Sequence, residues 1–198
     1  MDKMIKTAKN LDSMAKTVYW VCAAGAVICA FCGIITIFMY DALFRNSTTS
    51  LALGPVYLDL TGDGLPAPDT VRGRIVAGSF IVAVILIFAC TAMRIVRNIL
   101  EPMSKGLPFS NTVSKNLHRL ALVSLLAGAF IEIALMVHMT LTYNSFHLEQ
   151  LFNSELVSSF TLKYNINIWF ILVFVILQLM SYVFKYGEEL QRLSDETL

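Results

Sequence analysis

The chain is poor in charged residues and in cysteine, and each shortage excludes a class of protein. Only 15% of its 198 residues are charged, whereas a soluble domain carries about 25%. The four cysteines all lie inside long apolar stretches, which excludes an exported disulfide framework. The sequence has no paired nucleophile and base, no HExxH and no phosphate-binding loop. It therefore predicts a protein that is not an enzyme and holds no cofactor or catalytic metal.

Apolar side chains are present in excess, at 57% of the chain. They concentrate in four almost uncharged stretches, at about 18–40, 75–93, 120–141 and 166–184. A helix of about 20 residues crosses a hydrocarbon core and satisfies its own backbone groups there. The sequence therefore predicts an all-α membrane protein, a bundle of four transmembrane helices in a single integral membrane domain over residues 1–198. The first stretch is longer than a cleaved signal core, so we expect an anchor.

The positions of Lys and Arg predict the orientation of the chain. Eleven of the fifteen lie before the first stretch, between the second and third, or after the fourth. The positive-inside rule then predicts N-in/C-in, with a cytoplasmic loop at about 94–119 and a cytoplasmic tail at 185–198. The outer loops are about 41–74 and 142–165. Arg72 and Arg74 flank the second stretch on the predicted outer side and reduce this bias. The predicted location is the plasma (inner) membrane, as a multi-pass protein.

The first outer loop is expected to be irregular or to hold a short strand at 56–60, because prolines prevent a long helix. Asp59, Thr61 and Asp63 lie at the first, third and fifth positions of a calcium-loop pattern. Such a loop needs a bidentate carboxylate at position twelve, and Thr70 stands there. An ordinary turn is therefore favoured, and a weak calcium site is the alternative.

Three polar residues lie within the third and fourth apolar stretches, namely Glu132, His138 and Gln178. A carboxylate inside a membrane costs about 2.5–3.5 kcal/mol, so Glu132 should face the bundle and find a donor. Gln178 and Ser181 of the fourth stretch, or a thiol of the first stretch, are the expected partners. Glu132 then either senses a proton or ligand, or makes a single interhelical hydrogen bond.

The first apolar stretch carries small residues at spacings of three and four, which are Cys22, Gly25, Cys29, Cys32 and Gly33. Small side chains let helix backbones approach closely in membranes. A thiol or metal sensor is the alternative, but these spacings match no chelating motif. We expect this stripe to pack against another helix.

The second stretch should continue as a helix that ends at Pro102, since proline disfavours a helical residue before it. A new helix should be capped by Ser110 or Asn111. Between them, the sequence Gly106-Leu107-Pro108-Phe109 resembles the Gly-x-Pro-Phe loop of the domain of unknown function 2975 family, small bacterial membrane proteins with four spans. The tail resembles that family's ending, with a glycine, a Leu-Gln pair and an acidic terminus. The family has no established catalytic activity, and its members are often encoded beside a small helix-turn-helix regulator.

This resemblance implies a regulatory or sensor protein that binds a cytoplasmic helix-turn-helix regulator. The expected binding residues lie in the middle loop and the tail: Arg94, Arg97, Lys105, Gly106, Pro108, Phe109, Lys115, Arg119, Glu188, Glu189 and Leu190. The same basic residues could instead bind membrane lipid, pair with the acidic tail, or only fix the topology. A proton- or solute-coupled transporter or channel subunit that uses Glu132 is an alternative function, as is an accessory or immunity subunit. A homo-oligomer is possible, and direct nucleic-acid binding is not expected.

Overall fold

The structure is a computed structural model that describes residues 2–44, 49–53, 56–60, 68–105, 110–145 and 163–196. Its long helices, in chain order, are α1 (Asp2–Phe44), α2 (Pro68–Ser104), α3 (Asn111–Ser145) and α4 (Trp169–Glu196). Strands β1 (Thr49–Leu53) and β2 (Val56–Leu60) pair antiparallel between α1 and α2, with Leu51 opposite Leu58.

All of these helices are long and apolar enough to cross a membrane, which confirms the prediction of four such helices. The segments concerned are Ile5–Ala42, Asp69–Ser104, Asn111–Asn144 and Trp169–Ser194. Each helix is longer than the apolar stretch from which it was predicted. At a rise of 1.5 Å per residue, even the 28 residues of α4 extend about 42 Å, beyond a hydrocarbon core of about 30 Å. Polar helix ends therefore project past the apolar layer.

The burial pattern is the reverse of that in a soluble protein. Fully covered positions are mostly small, such as Ala121 and Ala83. Large apolar side chains stand on the outside, and Phe38 is 81% exposed. Helices in lipid associate through small side chains and keep large apolar ones toward the acyl chains. This distribution is compatible with a multi-pass membrane protein.

The chain divides into two compact units. The first comprises Met1–Ala26, Val84–Glu132 and Ile166–Leu198. Within it, α1 packs closely on α2, because a Cβ added at Gly25 would lie 3.2 Å from Leu86 Cδ1. A larger residue would therefore press on α2, in agreement with the packing predicted for the small-residue stripe.

The second unit comprises Val27–Ala83 and Ile133–Asn165. Here Gly33 of the same stripe lies against α2, with its ideal Cβ position 3.3 Å from Ser79 Cβ. Arg72 donates to the carbonyl oxygen of Ile37, and Arg74 donates to the hydroxyl of Thr142. The two arginines that reduce the predicted charge bias are thus bonded to α1 and α3.

The helix ends around the middle loop differ in detail from the prediction. The end of α2 is at Ser104, two residues past Pro102, because the Lys105 N–H closes a last turn on the Pro102 carbonyl at 3.0 Å. The start of α3 is at Asn111, and its first bond runs from the Val113 N–H to the Ser110 carbonyl at 2.8 Å. The Ser110 hydroxyl is buried and has no partner among the described residues. The Ser110 side chain therefore does not form the predicted N-cap hydrogen bond within the described residues.

Candidate functional site

A polar groove of about 530 Å³ lies between the first turns of α3 and the second half of α4, entirely within the first unit. The lining residues from α3 are Asn111, Ser114, Lys115, His118 and Arg119, and those from α4 are Gln178, Ser181, Tyr182, Lys185, Glu188, Glu189 and Arg192. This site combines basic, acidic and hydroxyl side chains next to helices that are otherwise apolar.

Three hydrogen bonds between two residue pairs fix how α3 and α4 meet at the groove. Ser181 Oγ donates to the Ser114 carbonyl at 2.9 Å, and Ser114 Oγ donates to the Ser181 carbonyl at 3.3 Å. One turn farther along, His118 Nδ1 lies 2.8 Å from Gln178 Oε1. An amide oxygen only accepts, so His118 donates from Nδ1 in this bond. The two helices are antiparallel here and joined through polar side chains.

The sequence places these residues on one face of each helix. On α3 they recur at spacings of three and four, from Asn111 to Arg119, and on α4 the same spacing runs from Gln178 to Arg192. Residues three and four apart are neighbours on a helix surface. The groove thus forms where two polar helix stripes face each other.

The cations and carboxylates of the groove are not neutralised by one another. In the part of the chain that the structure describes, ion pairs join Arg97 to Asp12 at 3.1 Å, Lys105 to Glu101 at 2.8 Å and Arg192 to Glu196 at 3.6 Å. Of the groove's own charges, only Arg192 is among them. The remaining ones, which are Lys115, Arg119, Lys185, Glu188 and Glu189, form no ion pair within the described ranges. No ion pair within those ranges supports the alternative that the loop and the tail simply pair with each other.

The groove extends from the polar end of α4 into the fourth apolar stretch. Gln178 lies seven residues before Lys185, which is about 10 Å at helical rise. Leu179 and Val183, on neighbouring positions of α4, are 60% and 65% exposed. Polar lining and exposed apolar surface therefore lie side by side at the same level of the helix.

The partner-binding residues predicted from sequence fall into four groups. Lys115, Arg119, Glu188 and Glu189 line the groove together. Of the others, Arg97 and Lys105 are held in ion pairs, whereas Arg94 and Leu190 are exposed on α2 and α4 outside the groove lining. Gly106, Pro108 and Phe109 lie outside the described residues. The structure thus brings the start of α3 and the tail together at the groove.

Glu132 lies beside the beginning of α4. Its Oε2 accepts the Asn167 N–H at 3.3 Å, and Asn167 Oδ1 in turn accepts the Trp169 N–H at 3.0 Å. The first backbone N–H groups of a helix lack intrahelical partners, and the positive end of the helix dipole favours a nearby carboxylate. The carboxylate therefore has a hydrogen-bond donor at the start of α4, where sequence reasoning expected Gln178 or Ser181.

The three residues of the predicted intramembrane site are not hydrogen-bonded to one another. Gln178 lies nine residues after Trp169, about 14 Å along α4, and bonds His118 instead of Glu132. His138 is exposed on α3, where its carbonyl accepts the Thr142 hydroxyl at 2.7 Å. Gln178 therefore belongs to the polar groove.

The weak calcium site falls largely where nothing is described. Asp59 lies in β2, and Thr61 and Asp63 lie outside the described residues. Among the residues that could be searched, no group of three His, Cys, Asp or Glu side chains could hold a metal ion.

Sequence reasoning missed the groove because it took its residues one at a time. His118, Lys185 and Arg192 are not among the binding residues predicted from the sequence. The polar spacing of three and four on both helices was the available signal. What it lacked was the register that sets His118 opposite Gln178.

Comparison of the chain with family models, with curated proteins and with solved structures gives no significant match. The resemblance of the Gly106–Phe109 loop and the tail to the domain of unknown function 2975 family therefore stays a prediction, and the site is interpreted from its own chemistry.

Proposed function

We propose that the chain is a non-enzymatic inner-membrane protein, with both termini in the cytoplasm, that regulates a soluble protein bound to its cytoplasmic face. The observation that carries the proposal is the groove where the start of α3 and the tail of α4 meet, whose charges other than Arg192 form no ion pair within the described residues. A charged surface free of internal ion pairs can complement an opposite charge pattern on a partner. The partner suggested by the family resemblance is a small helix-turn-helix regulator.

The acidic tail gives this proposal its sharpest test. Glu188 and Glu189 line the groove without an ion pair, so their charges are free to meet basic side chains of a partner. We expect a tagged chain extracted from its native membranes to retain a small helix-turn-helix protein. Glu188→Gln/Glu189→Gln should reduce the retained amount about a hundredfold, because each lost charge-assisted contact is worth about tenfold or more.

The matched control is Asp41→Asn/Asp69→Asn. Both of these carboxylates are exposed, near the end of α1 and at the start of α2, neither lines the groove, and the change removes the same charge. Capture should be measured by quantitative mass spectrometry of the eluate. Equal loss in both double variants, or retention of the partner by the groove variant, would show that the tail is not the interface.

Topology should be tested in the same strain. A cysteine introduced as Lys9→Cys should react with a membrane-impermeant maleimide only after the cells are opened, whereas Lys163→Cys should react in intact cells. Both positions are exposed. The reverse pattern would contradict the proposed orientation and with it a cytoplasmic partner.

A transporter subunit that uses Glu132 is the alternative function. The hydrogen bond from the Asn167 N–H gives that carboxylate a role at the start of α4 that needs no substrate. Proton-coupled uptake into liposomes that is lost in Glu132→Gln would favour the transporter over the regulator.

A further inference from the structure

The groove lies where charged side chains meet the apolar stretches of two helices, and a protein-binding surface alone does not require that position. Its basic side chains from α3, Lys115 and Arg119, come just before the third apolar stretch, and the groove reaches Gln178 within the fourth. The cations of the groove therefore lie at the level where the apolar stretches of α3 and α4 meet its polar lining.

The charges of the groove favour a phosphate. Four cations line it, from Lys115 and Arg119 on α3 and Lys185 and Arg192 on α4, against the two carboxylates Glu188 and Glu189. Three of these cations make no ion pair within the described ranges. Guanidinium and ammonium groups are the usual phosphate ligands, and Arg binds phosphate in a bidentate way. A volume of about 530 Å³ is within the range of small-ligand sites.

Both carboxylates lie toward the C-terminal end of α4. Glu188 and Glu189 follow Lys185, whereas Ser114 and His118 bond α4 at Ser181 and Gln178. The end of the groove next to the apolar stretches is thus the end with Lys115 and Arg119, and the acidic side chains lie on the side of the tail. This polarity fits a headgroup whose phosphate lies near the acyl chains.

We propose that the groove binds the phosphate of an anionic phospholipid, with Lys115, Arg119 and Lys185 as its ligands and the acyl chains along the neighbouring apolar stretches of α3 and α4. The His118–Gln178 pair forms the inner end of the site and holds α3 and α4 at the spacing that the phosphate needs. This inference goes beyond the proposed function and does not require the protein partner. It rests on the apolar character of the helices and on the groove.

The test uses the full chain purified in neutral detergent and titrated with three probes by isothermal titration calorimetry. These are dioctanoyl phosphatidylglycerol, dioctanoylglycerol, which lacks the phosphate, and inorganic phosphate. We expect binding of the phosphatidylglycerol only. Lys115→Gln/Arg119→Gln should weaken it about a hundredfold, since each lost charge-assisted contact is worth about tenfold or more.

The control variant is Lys9→Gln/Lys16→Gln, which removes two exposed cations of α1 that do not line the groove and should bind as the wild type does. If the double variant of the groove fails to fold, Lys185→Gln takes its place, because Lys185 lies beyond the fourth apolar stretch. This single change removes one of the proposed phosphate ligands and should weaken binding about tenfold.

Equal binding by the groove and control variants would overturn the proposal, as would equal binding of dioctanoylglycerol. If inorganic phosphate bound as tightly as the lipid, the source of the phosphate would be a soluble compound, and the assignment to a lipid would be wrong. If the chain bound the lipid but captured no protein partner from its native membranes, that result would count against the proposed function alone.

Discussion

At the scale of single residues, α3 and α4 approach each other closely at Gly128. A Cβ built there would overlap Cβ and Cγ of Phe170. Phe170 Cβ is fixed to the backbone of α4, so a change of side-chain rotamer cannot relieve this overlap. Small residues at helix interfaces allow such contacts in membrane proteins. Gly128 therefore sets the spacing of α3 and α4 within the first unit.

Gly128→Ala should destabilise the protein by about 1–3 kcal/mol, because overpacking moves backbone as well as side chains. Gly78→Ala is the matched control, since nothing lies within 4 Å of its ideal Cβ position, and alanine favours helix over glycine by about 1 kcal/mol. Thermal unfolding in detergent should give a lower midpoint for the first variant and an equal or higher one for the second. Equal midpoints would show that α3 and α4 can separate at no cost.

Gly25 should respond less strongly. The nearest atom to its added Cβ is the terminal Cδ1 of Leu86, at 3.2 Å, and the end of a flexible side chain can turn away. The stripe predicted from sequence thus packs, but its glycines do not contribute equally. Spacing alone cannot predict which glycine meets a backbone-linked atom.

At the scale of the helices, composition predicted how many there are but not where they end. The apolar excess identifies stretches that must be helical in lipid, because no other spanning structure satisfies the backbone. The polar extensions carry no such requirement, and α1 continues from 18 back to Asp2. The pairing of α3 with α4 depends on the register between them, which the sequence of either helix alone does not reveal. Glu132 illustrates this, because its hydrogen-bond donor is the backbone N–H of Asn167, which no pattern of side chains in the sequence indicates.

The reciprocal serine bonds between α3 and α4 can be measured by a double-mutant cycle. Ser114 and Ser181 are both buried, and each hydroxyl donates to the other residue's carbonyl. Interhelical hydrogen bonds in membranes are worth about 0.6 kcal/mol on average. We expect Ser114→Ala and Ser181→Ala each to cost about that much.

The double variant Ser114→Ala/Ser181→Ala should cost close to the sum of the two single ones. Each bond runs from a side chain to a backbone carbonyl, so removing one hydroxyl leaves the other bond in place. Unfolding of all four proteins in the same detergent provides the measurement. A double variant no worse than either single one would mean that the two bonds form and break together.

At the scale of the whole chain, the positive charges have two different roles. Most lie on the predicted cytoplasmic side, where they fix orientation, and a subset of these lines the groove. The opposite side carries Arg72 and Arg74, whose side chains donate to the Ile37 carbonyl and the Thr142 hydroxyl. Ile37 lies two residues before Met39, where α1 departs from helical geometry with φ −120° and ψ 16°. Such a departure can leave nearby carbonyls without helical partners, and Arg72 supplies a donor there.

We therefore expect these two arginines to stabilise the second unit through their hydrogen bonds, although their charges oppose the predicted positive-inside bias. Arg72→Gln and Arg74→Gln should each lower the free energy of unfolding by about 1–3 kcal/mol, as loss of a charged donor to a part-buried acceptor does. Lys163→Gln removes the same charge from the same predicted side at an exposed position and should leave stability unchanged. All three variants should keep the wild-type orientation in maleimide labelling, because each change increases the positive-inside bias. If Lys163→Gln destabilised the protein as much as the arginine variants, the arginines would act as charges alone, and their bonds to α1 and α3 would contribute nothing.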